Sequence, residues 1–332
     1  MKWFTEPQGK FVMAIPIEWQ YKNVAIGYEE KSPFGFELYE NVLGAFQISC
    51  YPVNEKTINH SLPIHKADTK GMEFTETKLD DTEFNIHVWF CNVEDHFFMA
   101  KYIYDSKEDK NPLIEKELEK VKSVLSTIEF ISQPRRDRLV KIDKCEKFTA
   151  SLAASFDLKN NAIEKRSFIE FVIVVANQID AYLRLSILLK NQLDNNTDEI
   201  DISLLYQAPK DPPVMERTIY SKALKCDIIS KDIYDKLEAL YQERNKIVHR
   251  YIISDLKTRD IRNVAIDYEE ICEKARVGMQ KLEDLQIEQQ IGIYKNSRGS
   301  NYEYNAEEIK FMMSQVNDKH LMSSLKREID PE

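Results

Sequence analysis

Up to about residue 132 the apolar positions crowd into short aromatic and β-branched runs; beyond it they recur every three or four residues. The first pattern is that of strands, and the second that of helices with one face against a core. Residues 10–16 (KFVMAIP), 46–53 (FQISCYPV), 84–93 (FNIHVWFCNV) and 96–104 (HFFMAKYIY) read as strands set apart by turn residues. Only Glu94-Asp95 separates the last two, which predicts a hairpin. A helix then starts at Pro112, well placed in a first turn, with Ile114, Leu118, Val121, Leu125 and Ile128 at helical spacing. It is expected to cover one face of an antiparallel sheet.

The stretch 132–137 (SQPRRD) breaks this pattern with a proline and a charge cluster, as a linker does. At 332 residues the chain is long for one core. The expectation is therefore an α+β protein of two domains, 1–132 with the antiparallel sheet and its packed helices, and 133–332 an all-α bundle. In the second, Ile142, Cys145, Phe148, Leu152 and Phe156 form one stripe, and Phe168, Val172, Val175, Ile179 and Leu183 mark a longer, central helix. Residues 191–213 read as a polar loop with a brief helical turn at Leu204, after which Pro213 starts a helix through Lys225. Ser230 caps the next helix, Asp267 with Glu270 suggests a capping box for one reaching about Gln290, and Asn305 caps a tail helix carrying Ile309, Met312 and Met313.

The helix begun at Ser230 carries the unusual feature. Ile233, Leu237, Leu240, Arg244, Ile247 and Tyr251 follow one another at spacings of four and three, so Arg244 occupies a seat meant for leucine. A guanidinium in an apolar seam costs several kcal/mol unless it is paired or reaches a polar cleft. His249 follows near the expected helix end. Five residues along a regular helix turn about 500°, which leaves Arg244 and His249 about 140° apart. Either the helix loosens before His249, or two subunits each supply part of one cleft.

Composition narrows the rest. Residues 1–132 hold 14 Lys, no Arg and 22 Asp or Glu, so all 13 arginines follow Pro134 although the whole chain carries −10. Arginine grips phosphate as a planar fork where lysine offers a point charge, which places any phosphate chemistry in the second half. The five cysteines lie far apart without C-x-x-C spacing, against both a disulfide framework and a zinc site. His60, His65, His87 and His96 have no metal-ligand spacing. Met1 to Lys10 does not read as a signal peptide, and the longest apolar run, 168–176, is interrupted by Glu170; a soluble, cytoplasmic protein without a membrane partner is expected.

Two resemblances bear on fold and function. The opening K-F-V-M-A-I-P-I-E-W-Q at 10–20 resembles the PsbP-like α/β/α sandwich, which implies a partner-binding or regulatory first domain. The helical half with R-N-K-I-V-H at 244–249 resembles the HEPN family. That resemblance implies a metal-independent RNA endonuclease with no cofactor, a bacterial stress, toxin or defence role, and a homodimer through the second domain with the two motifs facing each other. Under it His249 transfers protons, because an imidazole titrates near neutrality. Arg244 stabilises charge on the phosphate, and Asn245, on the same helical face as His249, orients neighbouring groups by hydrogen bonds. Arg250 and Arg184 are outer phosphate contacts, and Asp180 pairs with Arg244. The alternative is a non-catalytic HEPN-like dimerisation or ligand-binding module in which Arg244 is a strut.

Overall fold

The computed structural model describes residues 1–25, 27–38, 42–53, 64–69, 71–80, 83–208 and 211–297. The architecture is α+β, and the chain divides into two compact units between Asp143 and Lys144. Asn305, Ile309, Met312 and Met313 of the expected tail helix lie outside the described residues.

The first unit contains β1 (Lys2–Thr5), β2 (Phe11–Ile15), β3 (Trp19–Tyr21), α1 (Lys22–Ala25), β4 (Phe34–Leu38), β5 (Ala45–Pro52), β6 (Ile64–His65), β7 (Thr75–Asp80), β8 (Phe84–Val93), β9 (His96–Asp105), α2 (Pro112–Ser126) and β10 (Glu129–Phe130). β2 is the centre of a three-stranded antiparallel sheet between β1 and β10. A seven-stranded sheet runs β3-β4-β5-β9-β8-β6, with β7 also on β8, and only β6 is parallel to its neighbour. β8 and β9 form the predicted hairpin, in full register from Phe84 opposite Asp105 to Val93 opposite His96. Glu94 takes φ 48° in its two-residue turn.

Alternation decides which face is inside. His96, Phe98, Ala100, Tyr102 and Tyr104 of β9 are buried, while the residues between them are only partly so or exposed. They join Phe11, Trp19, Phe34, Phe36, Phe46 and Phe130 in one aromatic core, to which α2 adds Ile114, Val121, Val124 and Leu125. Asn111 caps α2 by accepting from the amide of Leu113 at 3.0 Å, and Pro112 is its first residue. Glu117 is the one acidic side chain on the buried face of α2, and it accepts from Trp19 Nε1 at 3.0 Å and from Lys120 Nζ at 2.7 Å.

The expected break at 132–137 is helical from Gln133 onward. Helix α3 (Gln133–Glu164) begins there, with Pro134 in the first turn where its missing amide is harmless, and Arg136 reaches back to the Ile131 carbonyl at 2.9 Å. The unit division therefore falls inside α3.

The second unit continues with α4 (Phe168–Asp194), α5 (Glu216–Lys225), α6 (Lys231–Arg250) and α7 (Thr258–Gln289). The buried positions of α3 here are the small ones, Cys145, Ala150, Ala154 and Ala162; Phe156 of the expected stripe is exposed. α4 is the central helix, packed chiefly on α7 and also against α5 and α6. It is long and apolar enough to cross a membrane, but 78% of its most apolar stretch is buried inside the fold, as in a core helix.

The turn at Leu204 is a short 3-10 helix, Ile202–Leu204. Pro213 does not start α5, which begins three residues later after an extended Met215. The Asp267/Glu270 pair caps nothing: α7 already starts at Thr258, and both carboxylates instead face Lys236 of α6, at 3.4 and 3.1 Å. Gln286 of α7, fully buried, donates to the Leu189 carbonyl and to Gln192, and accepts from the amide of Tyr294. Gly292, at φ 84°, lies so close to Gln286 that an added Cβ would stand 2.3 Å from its amide.

Candidate functional site

Helix α6 presents the candidate residues. Ser230 caps it, accepting from the amide of Ile233 at 3.4 Å, and Leu237, Leu240 and Ile247 bury its apolar stripe. The stripe stops there, since Tyr251 is exposed. α6 remains helical through Arg250, so the backbone does not loosen before His249 and the two motif residues keep their angular separation of about 140°.

Arg244 is inward and paired, with 17% of its side chain exposed. One terminal nitrogen, Nη1, donates to both oxygens of Glu216, at 2.7 and 2.5 Å. The guanidinium lies 4.8 Å from the ring centre of Tyr241, one helical turn earlier than Asn245. Its other terminal nitrogen donates to Asn245 Oδ1 at 3.4 Å. Burial works against the charged guanidinium, but Glu216 outweighs it and keeps Arg244 firmly protonated. Tyr220 donates to the same Glu216 at 3.4 Å, and Tyr268 donates to the Leu240 carbonyl at 3.0 Å. Burial raises both phenols, with the Glu216 charge adding to it, so neither is a proton source near neutrality.

Asp180 pairs with Arg184 rather than Arg244. Its Oδ2 accepts from Arg184 Nε at 2.6 Å, and its Oδ1 is buried without a donor. Burial raises the Asp180 carboxyl above its ordinary range, against the charges of Arg184 and, more weakly, Arg244. Arg184 is a correction to the outer-contact expectation. It is buried, and its two terminal nitrogens hold the Leu204 and Val214 carbonyls at 3.0 and 3.1 Å, tying the 204–214 segment to α4. With all three nitrogens bonded inside the fold and the residue buried, Arg184 serves the fold rather than the surface.

His249 and Arg250 are exposed at the end of α6. Arg250 lines an open depression with Lys246, Ser254, Asp255, Leu256 and Asp260, where Lys246 is paired with Glu243 at 2.6 Å. Around His249 are exposed apolar side chains: Val248, Tyr251, and above all Ile252 and Ile253, at 93% and 80% exposure. The motif is thus divided into a half-buried, charge-paired half and a solvent-facing half.

Glu216 escaped sequence reasoning. An acid in the first turn of a helix reads as a favourable charge at the dipole, and nothing in the spacing links it to Arg244 across 28 positions. Among the described residues no group of three or more His, Cys, Asp and Glu side chains is placed to hold a metal ion. His65 accepts from the amide of Glu73, His87 meets Glu76 at 2.9 Å while stacked beside Trp89 and Tyr104, and His96 meets Asp95 at 2.7 Å. His60 lies outside the described residues. All five cysteines are free thiols, and burial pushes Cys50, Cys91 and Cys272 up to about 12, too high for a nucleophile at neutral pH.

No family model matches the chain, and no curated protein matches it. A crystal structure from Bacteroides thetaiotaomicron VPI-5482, at 1.50 Å resolution, is similar at 15% identity, over 53% of this chain and 76% of its own, with a TM-score of 0.28.

Proposed function

We propose that the helical unit is a HEPN-type, metal-independent RNA endonuclease that works as a homodimer, with the sheet unit, of PsbP-like type, as its partner-binding or regulatory module. The observation that carries this reading is the exposed end of α6. There His249, which makes no hydrogen bond or ion pair among the described residues, stands in a rim of exposed apolar side chains, five residues beyond Arg244 and four beyond Asn245. A proton carrier must be open to substrate, and apolar side chains exposed as fully as Ile252 and Ile253 favour a covering surface. A second copy related by a two-fold axis brings its own α6 end to the same place and supplies the Arg/His separation that one helix does not span. In the reaction His249 moves the protons, Arg244 and Arg250 answer phosphate charge, and the ribose 2′-OH attacks. A stress, toxin or defence role in a bacterium is the setting this chemistry suits.

Purified protein is expected to cleave RNA in EDTA, to leave a 2′,3′-cyclic phosphate, and to spare DNA. His249→Ala abolishes cleavage, while Arg244→Lys keeps the charge, loses the fork and retains a small residue of activity. Ile252→Asp with Ile253→Asp shifts the dimer to monomer in light scattering and removes cleavage with it.

A second reading has its own support. The Arg244–Glu216 pair, closed and backed by Tyr241, is also what a structural strut requires, and it favours a non-catalytic dimerisation or ligand-binding module. Intact RNA after incubation with wild type, together with an Arg244→Ala variant altered only in melting temperature, decides for it.

A further inference from the structure

We propose that Glu216 is an internal stand-in for the substrate phosphate: its carboxylate closes the cationic face of Arg244 until a phosphodiester displaces it. This rests on the ribonuclease reading of Arg244. A carboxylate and a phosphodiester both present two equivalent oxygens sharing one negative charge, and a guanidinium receives either in the same plane. Both Glu216 oxygens lie on Arg244 Nη1 alone, so the carboxylate occupies one corner of the guanidinium with its negative charge, a corner that an anionic phosphate oxygen would take in its place.

Charge supports displacement over simultaneous binding. Asp180, Arg184, Glu216 and Arg244 form two carboxylates against two guanidiniums, and the cluster has no net charge with which to attract an anion. Arg184 is buried and bonded through all three nitrogens. For Arg244 to answer phosphate, Glu216 must move away. The route is short, because Glu216 retains 16% exposure in the first turn of α5, and that helix has no side-chain cap at Met215 to fix its start.

Arg244 does not fall loose when Glu216 leaves. The Tyr241 ring supports its flat face from the same helix, and the Asp180 Oδ1 that lacks a donor belongs to a carboxylate on which the Arg244 charge already acts. A buried acceptor without a donor marks incomplete pairing. In the open arrangement one edge of the fork takes this oxygen and the other takes phosphate, so Asp180 becomes the positioning residue for Arg244.

The test uses full-length protein and a fluorescent single-stranded 2′-deoxy oligonucleotide, which cannot undergo 2′-OH attack, with binding read by anisotropy. Glu216→Gln is expected to bind at least tenfold more tightly than wild type, and the gain should vanish in Glu216→Gln/Arg244→Ala. Unchanged or weaker binding by a folded Glu216→Gln overturns the proposal. Should that variant fail to fold, Glu216→Asp keeps the charge and withdraws the carboxylate by one methylene; a several-fold gain is expected, and no gain overturns the proposal equally. RNA cleavage is followed in parallel. Tighter binding without cleavage by any form removes the ribonuclease reading and leaves the Glu216 assignment standing; cleavage by wild type without a binding gain does the reverse.

Discussion

Each unit draws a helical carboxylate inward, Glu117 buried and Asp180 half-buried, and the two differ in how completely they are answered. In the sheet unit Glu117, 5% exposed, has a donor on each oxygen, Lys120 on one and the Trp19 indole on the other. In the helical unit Asp180 keeps one buried oxygen without a donor, while Arg244 and Glu216 are held at the margin of solvent. A fully satisfied network fixes one arrangement of a core; a partly satisfied one leaves an alternative pairing within reach. The comparison separates two states of a carboxylate in a fold: Glu117 has both oxygens answered, whereas Asp180 keeps an acceptor that a rearranged donor could take.

The largest effect expected belongs to the closed network. Trp19→Ala removes a fully buried ring that packs on Phe46, 5.3 Å between ring centres, and takes one donor from Glu117. Large-to-small replacement of a core aromatic costs about 3–5 kcal/mol, so urea denaturation followed by the far-ultraviolet signal should show the transition moving by that amount. Trp19→Phe separates the two contributions, keeping most of the ring and losing the indole donor. A Phe variant as unstable as the Ala variant would mean that the hydrogen bond to Glu117, not packing, dominates there.

The open network is expected to respond less and differently. Arg244→Ala leaves Glu216 partly buried without its partner, and removing one member of a buried pair costs about 3–5 kcal/mol. Because Arg244 and Glu216 retain some exposure, about 2 kcal/mol is expected after solvent screening. Replacing both, Arg244→Met with Glu216→Leu, should recover most of that loss. If the double variant is no more stable than Arg244→Ala, Glu216 is already satisfied by water and by Tyr220, and the contrast between the two networks weakens.

The sequence was readable where one rule decides the outcome. The β8–β9 hairpin follows from alternation and a two-residue turn, and α4 follows from an apolar helical pattern too strong for any surface. β7 was missed because its residues, T-E-T-K-L-D, carry no apolar signal; its backbone pairs along β8 regardless of side chains. The start of α3 is hidden because Pro134 beside a charge cluster has the pattern of a breaker, although a proline in the first turn is compatible with a helix. Of the site, the odd seat of Arg244 and the angular distance to His249 could be read from spacing alone. Its partner could not: Asp180 was expected and is held by Arg184, and Glu216 arrives from 28 residues away through the α5–α6 turn. Pairing between helices is set by packing, which linear spacing does not encode.

The smallest effects expected lie at the two helix caps, and they sharpen the comparison by asking whether either network senses its helix start. Asn111 holds the amide of Leu113 at 3.0 Å ahead of α2, whose first turns lead directly to Glu117; Ser230 holds the amide of Ile233 at 3.4 Å, more than three turns before Arg244. Loss of an N-cap side chain costs about 1 kcal/mol on average. The shorter bond puts Asn111→Ala near that value, and the longer one puts Ser230→Ala near half of it. Thermal melts should order the variants in that way. Because α6 is anchored at Leu237, Leu240 and Ile247, fraying at Ser230 stops before the motif, so Ser230→Ala should leave oligonucleotide binding within experimental scatter of wild type. A binding change as large as that of Glu216→Gln would show instead that the start and the end of α6 move together, and that the Arg244 pair reports on the whole helix.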